Sequence, residues 1–88
     1  MFIMEICISN LDKNVSKNTI FDVFTRKSIG LVSSIRFVHK PNFKVAFVKF
    51  NKFYDNQLAN DFKQRLNKNV NVYLVYKEGW FWICSIKH

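Results

Sequence analysis

The residues with most chemistry to offer lie in one alternating stretch, Phe43-Lys44-Val45-Ala46-Phe47-Val48-Lys49-Phe50. Read as a strand, period two puts Ala46, Val48 and Phe50 on one side and Val45, Phe47 and Lys49 on the other. An outward ring beside a lysine can stack on a flat ligand while the ammonium meets an anion, and a nucleotide carries both features. Arg36, on the strand that precedes this one, and Lys40, in the turn between them, join Lys44 and Lys49 as a candidate patch for phosphates. Of these, only Arg36 and Lys49 clearly share the face of Phe47. Singly, each cation reads as an ordinary solvated side chain; grouped around Phe47 they are more persuasive. The ring has a bland alternative too, an outward Phe covered by the C-terminal tail.

Three further aromatics need an assignment. Tyr73 alternates onto the same face as Phe47 if residues 70–76 form a strand, where it either restores a stacking surface or sits unliganded at a sheet edge. Trp80 and Trp82 stand two apart and therefore share one side of a strand. They can extend the sheet and supply an aromatic platform, fold over the open face and block it, or pack at an edge or in a dimer contact. Two such rings in a small chain exceed what a core requires, which favours an interaction role. Enzymatic readings are weak: the acidic residues are scattered without an evident carboxylate pair, no Ser/His/Asp or Cys/His set has positional support, and Cys7, a nucleophile in principle, reads more readily as a packing residue. His39 and His88 are isolated, and Cys7 and Cys84 lack metal-ligand spacing. No catalytic residue, metal or cofactor is expected. The two thiols read as free, with a disulfide left open if their strands are neighbours.

The elements that hold these residues follow from periodicity. Residues 2–9 alternate, with Phe2, Met4, Ile6 and Ile8 on one side and Ile3, Glu5, Cys7 and Ser9 on the other. Ser16 can cap a helix whose inner face is Ile20, Val23 and Phe24, and Gly30 marks its stop or the following turn. Residues 33–39 read as a second strand, with Ile35 and Phe37 inward and Arg36 outward. Residues 43–50 make the third. A second helix is expected from about Tyr54 to Asn67, with Leu58, Ala59, Phe62 and Leu66 buried. Residues 70–76 and 80–87 read as a hairpin turned at Glu78-Gly79. The order β-α-β-β-α-β plus one strand is the ferredoxin-like α+β plan, with both helices on one face of an antiparallel sheet. The crossover rule favours residues 70–76 beside the first strand, leaving 80–87 as a fifth strand or a lid.

Eighty-eight residues suit one domain, and nearly half are hydrophobic, enough for a core without metals or disulfides. The net charge of +8 favours polyanionic partners, nucleic acid first, then acidic membranes, then an acidic protein. Glu5 interrupts the N-terminal apolar stretch, so no signal peptide is evident, and the run Trp80 to Cys84 is too short to cross a bilayer. A soluble, intracellular protein with no membrane partner is expected.

Over about residues 3–76 the chain resembles the RNA recognition motif. Ile6-Cys7-Ile8-Ser9-Asn10-Leu11 is similar to the family's short strand-one signature, and Phe43 to Phe50 to its longer strand-three signature. Ile20, Val23 and Phe24 match the first helix, Gly30 the glycine before strand two, and Ala59, Phe62 and Leu66 the second helix. The family stacks bases on sheet aromatics. At its usual stacking positions this chain has Cys7, Val45 and Phe47, so one ring of three survives. The basic and glycine positions that open the strand-three signature hold Phe43 and Lys44, and Phe50 occupies a core position.

The resemblance implies a single domain over residues 1–88, with residues 77–88 as a C-terminal hairpin extension. It also implies single-stranded RNA binding through the open face, with Phe47 stacking and lysines holding phosphates. Cys7, Arg36, Lys44, Val45, Phe47, Lys49, Tyr73, Trp80 and Trp82 are the expected contact residues. The second reading is a protein-interaction module that kept the fold and lost the stacking set, self-associating through the tryptophan strand. The oligomeric expectation is a monomer or weak dimer.

Overall fold

A computed structural model describes residues 4–87, so the expectations for Phe2 and Ile3 lie outside the described residues. The elements run β1 (Met4–Leu11), α1 (Lys17–Arg26), β2 (Gly30–His39), β3 (Lys44–Phe53), α2 (Gln57–Asn67), β4 (Val72–Lys77) and β5 (Trp80–Ile86). The five strands form one sheet in the order β2-β3-β1-β5-β4, and every neighbouring pair is antiparallel. This is the ferredoxin-like α+β architecture with an additional strand.

The core lies between the sheet and the helices. Ile6, Ile8, Val48 and Phe50 from β1 and β3 meet Ile20, Val23 and Phe24 of α1 and Phe62 and Leu66 of α2. Phe24 stands edge-on to Phe50 at 5.0 Å between centroids and to Phe62 at 6.1 Å, so a single ring links α1, α2 and the sheet. Such pairs contribute about 0.5–1.5 kcal/mol beyond their buried area.

Both helices start on a side-chain cap and stop on backbone hydrogen bonds. The Ser16 hydroxyl accepts from the Thr19 amide at 3.1 Å, and the Asn56 side-chain oxygen accepts from the Ala59 amide at 2.8 Å. Each helix ends in a Schellman motif. Ser28 (φ 53°) and Asn69 (φ 61°) take the left-handed position, and the amides of Ile29 and Val70 reach back to the carbonyls of Phe24 and Arg65. The Asn56 amide nitrogen also donates to the Ser28 carbonyl at 2.8 Å, which ties the start of α2 to the end of α1.

Four expectations are corrected here. α2 begins at Gln57, because Asn56 is its cap and β3 continues to Phe53. Leu58 then falls in the first turn, off the Ala59–Phe62–Leu66 stripe, and is exposed. Gly30 does not end α1; it opens β2, where an added Cβ would lie 2.6 Å from the Lys52 carbonyl oxygen and 2.9 Å from the Phe50 ring. The strand beside β1 is β5, with Ile6 opposite Ile86 and Ile8 opposite Cys84, while β4 is an edge. The chain leaving α2 first makes the outer strand and then turns at Gly79 (φ 80°), and the return strand fills the place next to β1.

The same pairing decides the cysteines. β1 and β5 are neighbours, yet Cys7 sits opposite Ser85 and Cys84 opposite Ile8, so the thiols point to opposite sides of the sheet and both are free. Burial, with a smaller contribution from Cys7, pushes the Cys84 thiol up to about 12, which keeps it protonated and inert.

Candidate nucleic-acid interface

The sheet face away from the helices is uncovered, and register sorts its side chains into rows. One row runs Arg36, Phe47, Cys7, Ser85 across β2, β3, β1 and β5. Beside it Lys49 faces Glu5. On the other side Ser9 faces Ile83, which faces Tyr73 on β4, and beyond these Phe81 faces Val75. A β-bulge between Ile8 and Leu11, with Asn10 at φ 55°, shifts the register of β1 at this end.

Phe47 is half-buried and its ring is attended by two cations. The Arg36 guanidinium carbon lies 4.5 Å from the ring centroid and the Lys87 ammonium 5.4 Å. Lys87 is held there twice. Its amide donates to the Glu5 carbonyl at 2.9 Å, and its Nζ pairs with Glu5 Oε1 at 2.9 Å. The hydrogen bond from Lys87 is the main reason that the Glu5 carboxyl lies below its ordinary value of 4.5; charge from Lys87, Lys49 and Arg36 adds to it against a desolvation that pulls the other way. Elsewhere Asp22 and Asp61 sit on the helices, paired with Arg26 and Arg65. Asp12, Asp55 and Glu78 lie in the connections between elements, and the sheet face carries Arg36, Lys49 and Lys87 against Glu5.

The face therefore brings together Cys7, Arg36, Val45, Phe47, Lys49 and Tyr73. It does not bring in Lys44 or Trp82. Lys44 alternates with Ala46 on the helix side, is buried, and sets its ammonium 3.9 Å from the Phe37 ring centroid. Trp82 is 4 % exposed and stacks on Tyr76 at 4.4 Å, so it belongs to the core. Trp80 is exposed where β5 begins, with the Lys77 ammonium 5.8 Å from its ring.

Sequence reasoning missed Phe81, Ile83 and Lys87. The alternating set Trp82, Cys84, Ile86 packs inward, so Phe81, Ile83, Ser85 and Lys87 face out. The signal was in the chain. Ser85 and Lys87 are polar where the tryptophan set continues into Cys84 and Ile86, and a polar half marks the solvent side. Phe81 is 54 % and Tyr73 63 % exposed, with their rings 5.3 Å apart at 76°.

An open antiparallel sheet bearing exposed rings and an excess of cations, backed by two helices, defines a small α+β nucleic-acid-binding domain. The family model of the RNA recognition motif matches residues 6–70, and the chain belongs to that family. The match spans β1 through the end of α2 and stops before the β4–β5 hairpin. No curated protein and no solved structure gives a significant match.

Proposed function

We propose that this domain binds single-stranded RNA through its open sheet face, without catalysing a reaction. The observation that carries this is the row of Arg36 and Phe47 with Lys49 beside it. A ring that can stack on a base stands among cations that can meet the flanking phosphates. Cys7 and Val45, lacking rings, contribute only the floor of the site. Stacking a base on Phe47 requires Arg36 and Lys87 to swing from the ring toward phosphates, exchanging a cation–π contact for an ion pair. Binding is accordingly modest in specificity and strongly dependent on salt.

A protein-binding role is the competing reading, and the two vacant stacking positions favour it. Its predicted tryptophan patch is reduced, however, because Trp82 is buried. Amide NMR titration with a mixed-sequence RNA octamer at low and moderate salt separates the two. RNA binding gives shifts grouped on residues 5–9, 36, 45–49 and 73, with affinity falling as salt rises. An unshifted sheet face overturns the proposal.

A further inference from the structure

We infer that the domain carries a second base-binding site on the β4–β5 hairpin, made by Tyr73 and Phe81. This rests on the RNA-binding reading and adds a location that the family signatures do not specify. The rings stand on the same sheet face as Phe47, because Tyr73 pairs with Ile83, Ile83 with Ser9, and Phe81 alternates with Ile83. Both are more than half exposed, and their near-perpendicular setting forms a corner. A flat base lies against one ring while the other flanks its edge, an arrangement suited to stacking. Val75 and Ile83 complete an apolar surround.

Three observations select a nucleobase as the occupant. The patch is continuous through Ser9 and Cys7 with the Arg36–Phe47–Lys49 cluster, so a strand lying on one region reaches the other. Charge favours a polyanion at the adjoining cluster, where Arg36, Lys49 and Lys87 outnumber Glu5, while Asp12 lines the groove beside Phe81, so the corner itself contributes stacking and not charge. Phe47 lies under two cations, whereas Tyr73 and Phe81 contact each other edge to face and keep more than half of their surface exposed, so a base reaches them without displacing Arg36 or Lys87. Strand spacing and rise put the corner about 15 Å from Phe47. A strand several nucleotides long is therefore needed to occupy both.

The test measures binding of a fluorescein-labelled mixed-sequence RNA octamer by anisotropy, alongside an abasic strand of the same length. Tyr73→Ala with Phe81→Ala is expected to weaken binding of the octamer at least about tenfold. The abasic strand should bind the wild type and the double variant equally, because it meets only the cations. Phe81→Trp should retain or tighten octamer binding. Amide spectra report the fold of each variant; if the double variant does not fold, each single alanine variant is expected to lose about fivefold or more. If the wild type binds the octamer and the alanine variants match it, the hairpin site is overturned while the sheet-face reading stands. Equal loss with the abasic strand also overturns it, since the rings would then not be stacking on bases. If the wild type binds no RNA, both readings fall together.

Discussion

Across β2, β3 and β1 the open face presents Arg36, Lys49 and Phe47, with Glu5 and Lys87 closing over the ring. Across β5 and β4 it presents Tyr73, Phe81, Val75 and Ile83, with the aromatic pair standing clear. The first region is where this family ordinarily keeps its rings, and here it holds mostly charge. The second lies beyond the matched residues 6–70, and there the rings are bare. The proposed division of labour is therefore attraction at the centre and stacking at the margin. The family signature alone locates only the first part.

The sharpest way to break this comparison is to truncate the two aromatics of β5 one at a time. Trp82→Ala should cost about 3–5 kcal/mol of stability, because Trp82 fills the core against Tyr76. Phe81→Ala should cost about 1 kcal/mol or less, the scale of an exposed ring pair. Urea unfolding of both variants checks it, and equal losses would mean that the β5 parity is reversed. On the charged side, Arg36→Ala with Lys49→Ala should reduce the slope of log affinity against log salt by about 1.4, at about 0.7 per single-strand phosphate contact. Anisotropy over a salt series measures that slope. Phe47→Ala should weaken octamer binding by about 1 kcal/mol, the low end of the stacking range, since Arg36 and Lys87 already engage the ring.

The smallest effect concerns pH. The folded-state value of Glu5 is depressed, so its pairing with Lys87 stabilises the fold above the ordinary value of 4.5 and is lost as pH falls through the lowered value. Carboxyl NMR should therefore give a Glu5 midpoint below 4.5, moving up in Lys87→Ala. An unchanged midpoint in the variant would remove Lys87 as the cause.

Much of this arrangement was legible in the chain. Alternation in residues 43–50 put Val45, Phe47 and Lys49 on the open side, and the helix stripes Ile20–Val23–Phe24 and Ala59–Phe62–Leu66 pack as their spacing implies. Ser16 and Gly79 act as cap and turn residue. What escaped is non-local. Which hairpin strand adjoins β1 depends on pairing between distant segments, and no residue within 70–86 announces it. Lys44 shows the other limit, because composition reads a lysine as solvated while strand parity sends its stem under the sheet to the Phe37 ring. Leu58 failed for a local reason: it stands about 100° around the helix from Ala59, at the edge of the stripe, and lies in the exposed first turn.

The placement of β5 beside β1 carries a kinetic consequence. Ile6 pairs with Ile86, a separation of eighty residues, so one side of the central strand is completed by the last strand of the sheet to be synthesised. During translation β1 can zip to β3 early, but its other edge stays unpaired until the hairpin has left the ribosome. High contact order of this kind slows folding and exposes a bare strand edge in the interval. The nascent chain is then at its most aggregation-prone just before the hairpin emerges, and ribosome-stalled chains ending before Trp80 should be more protease-sensitive than chains in which the hairpin has emerged.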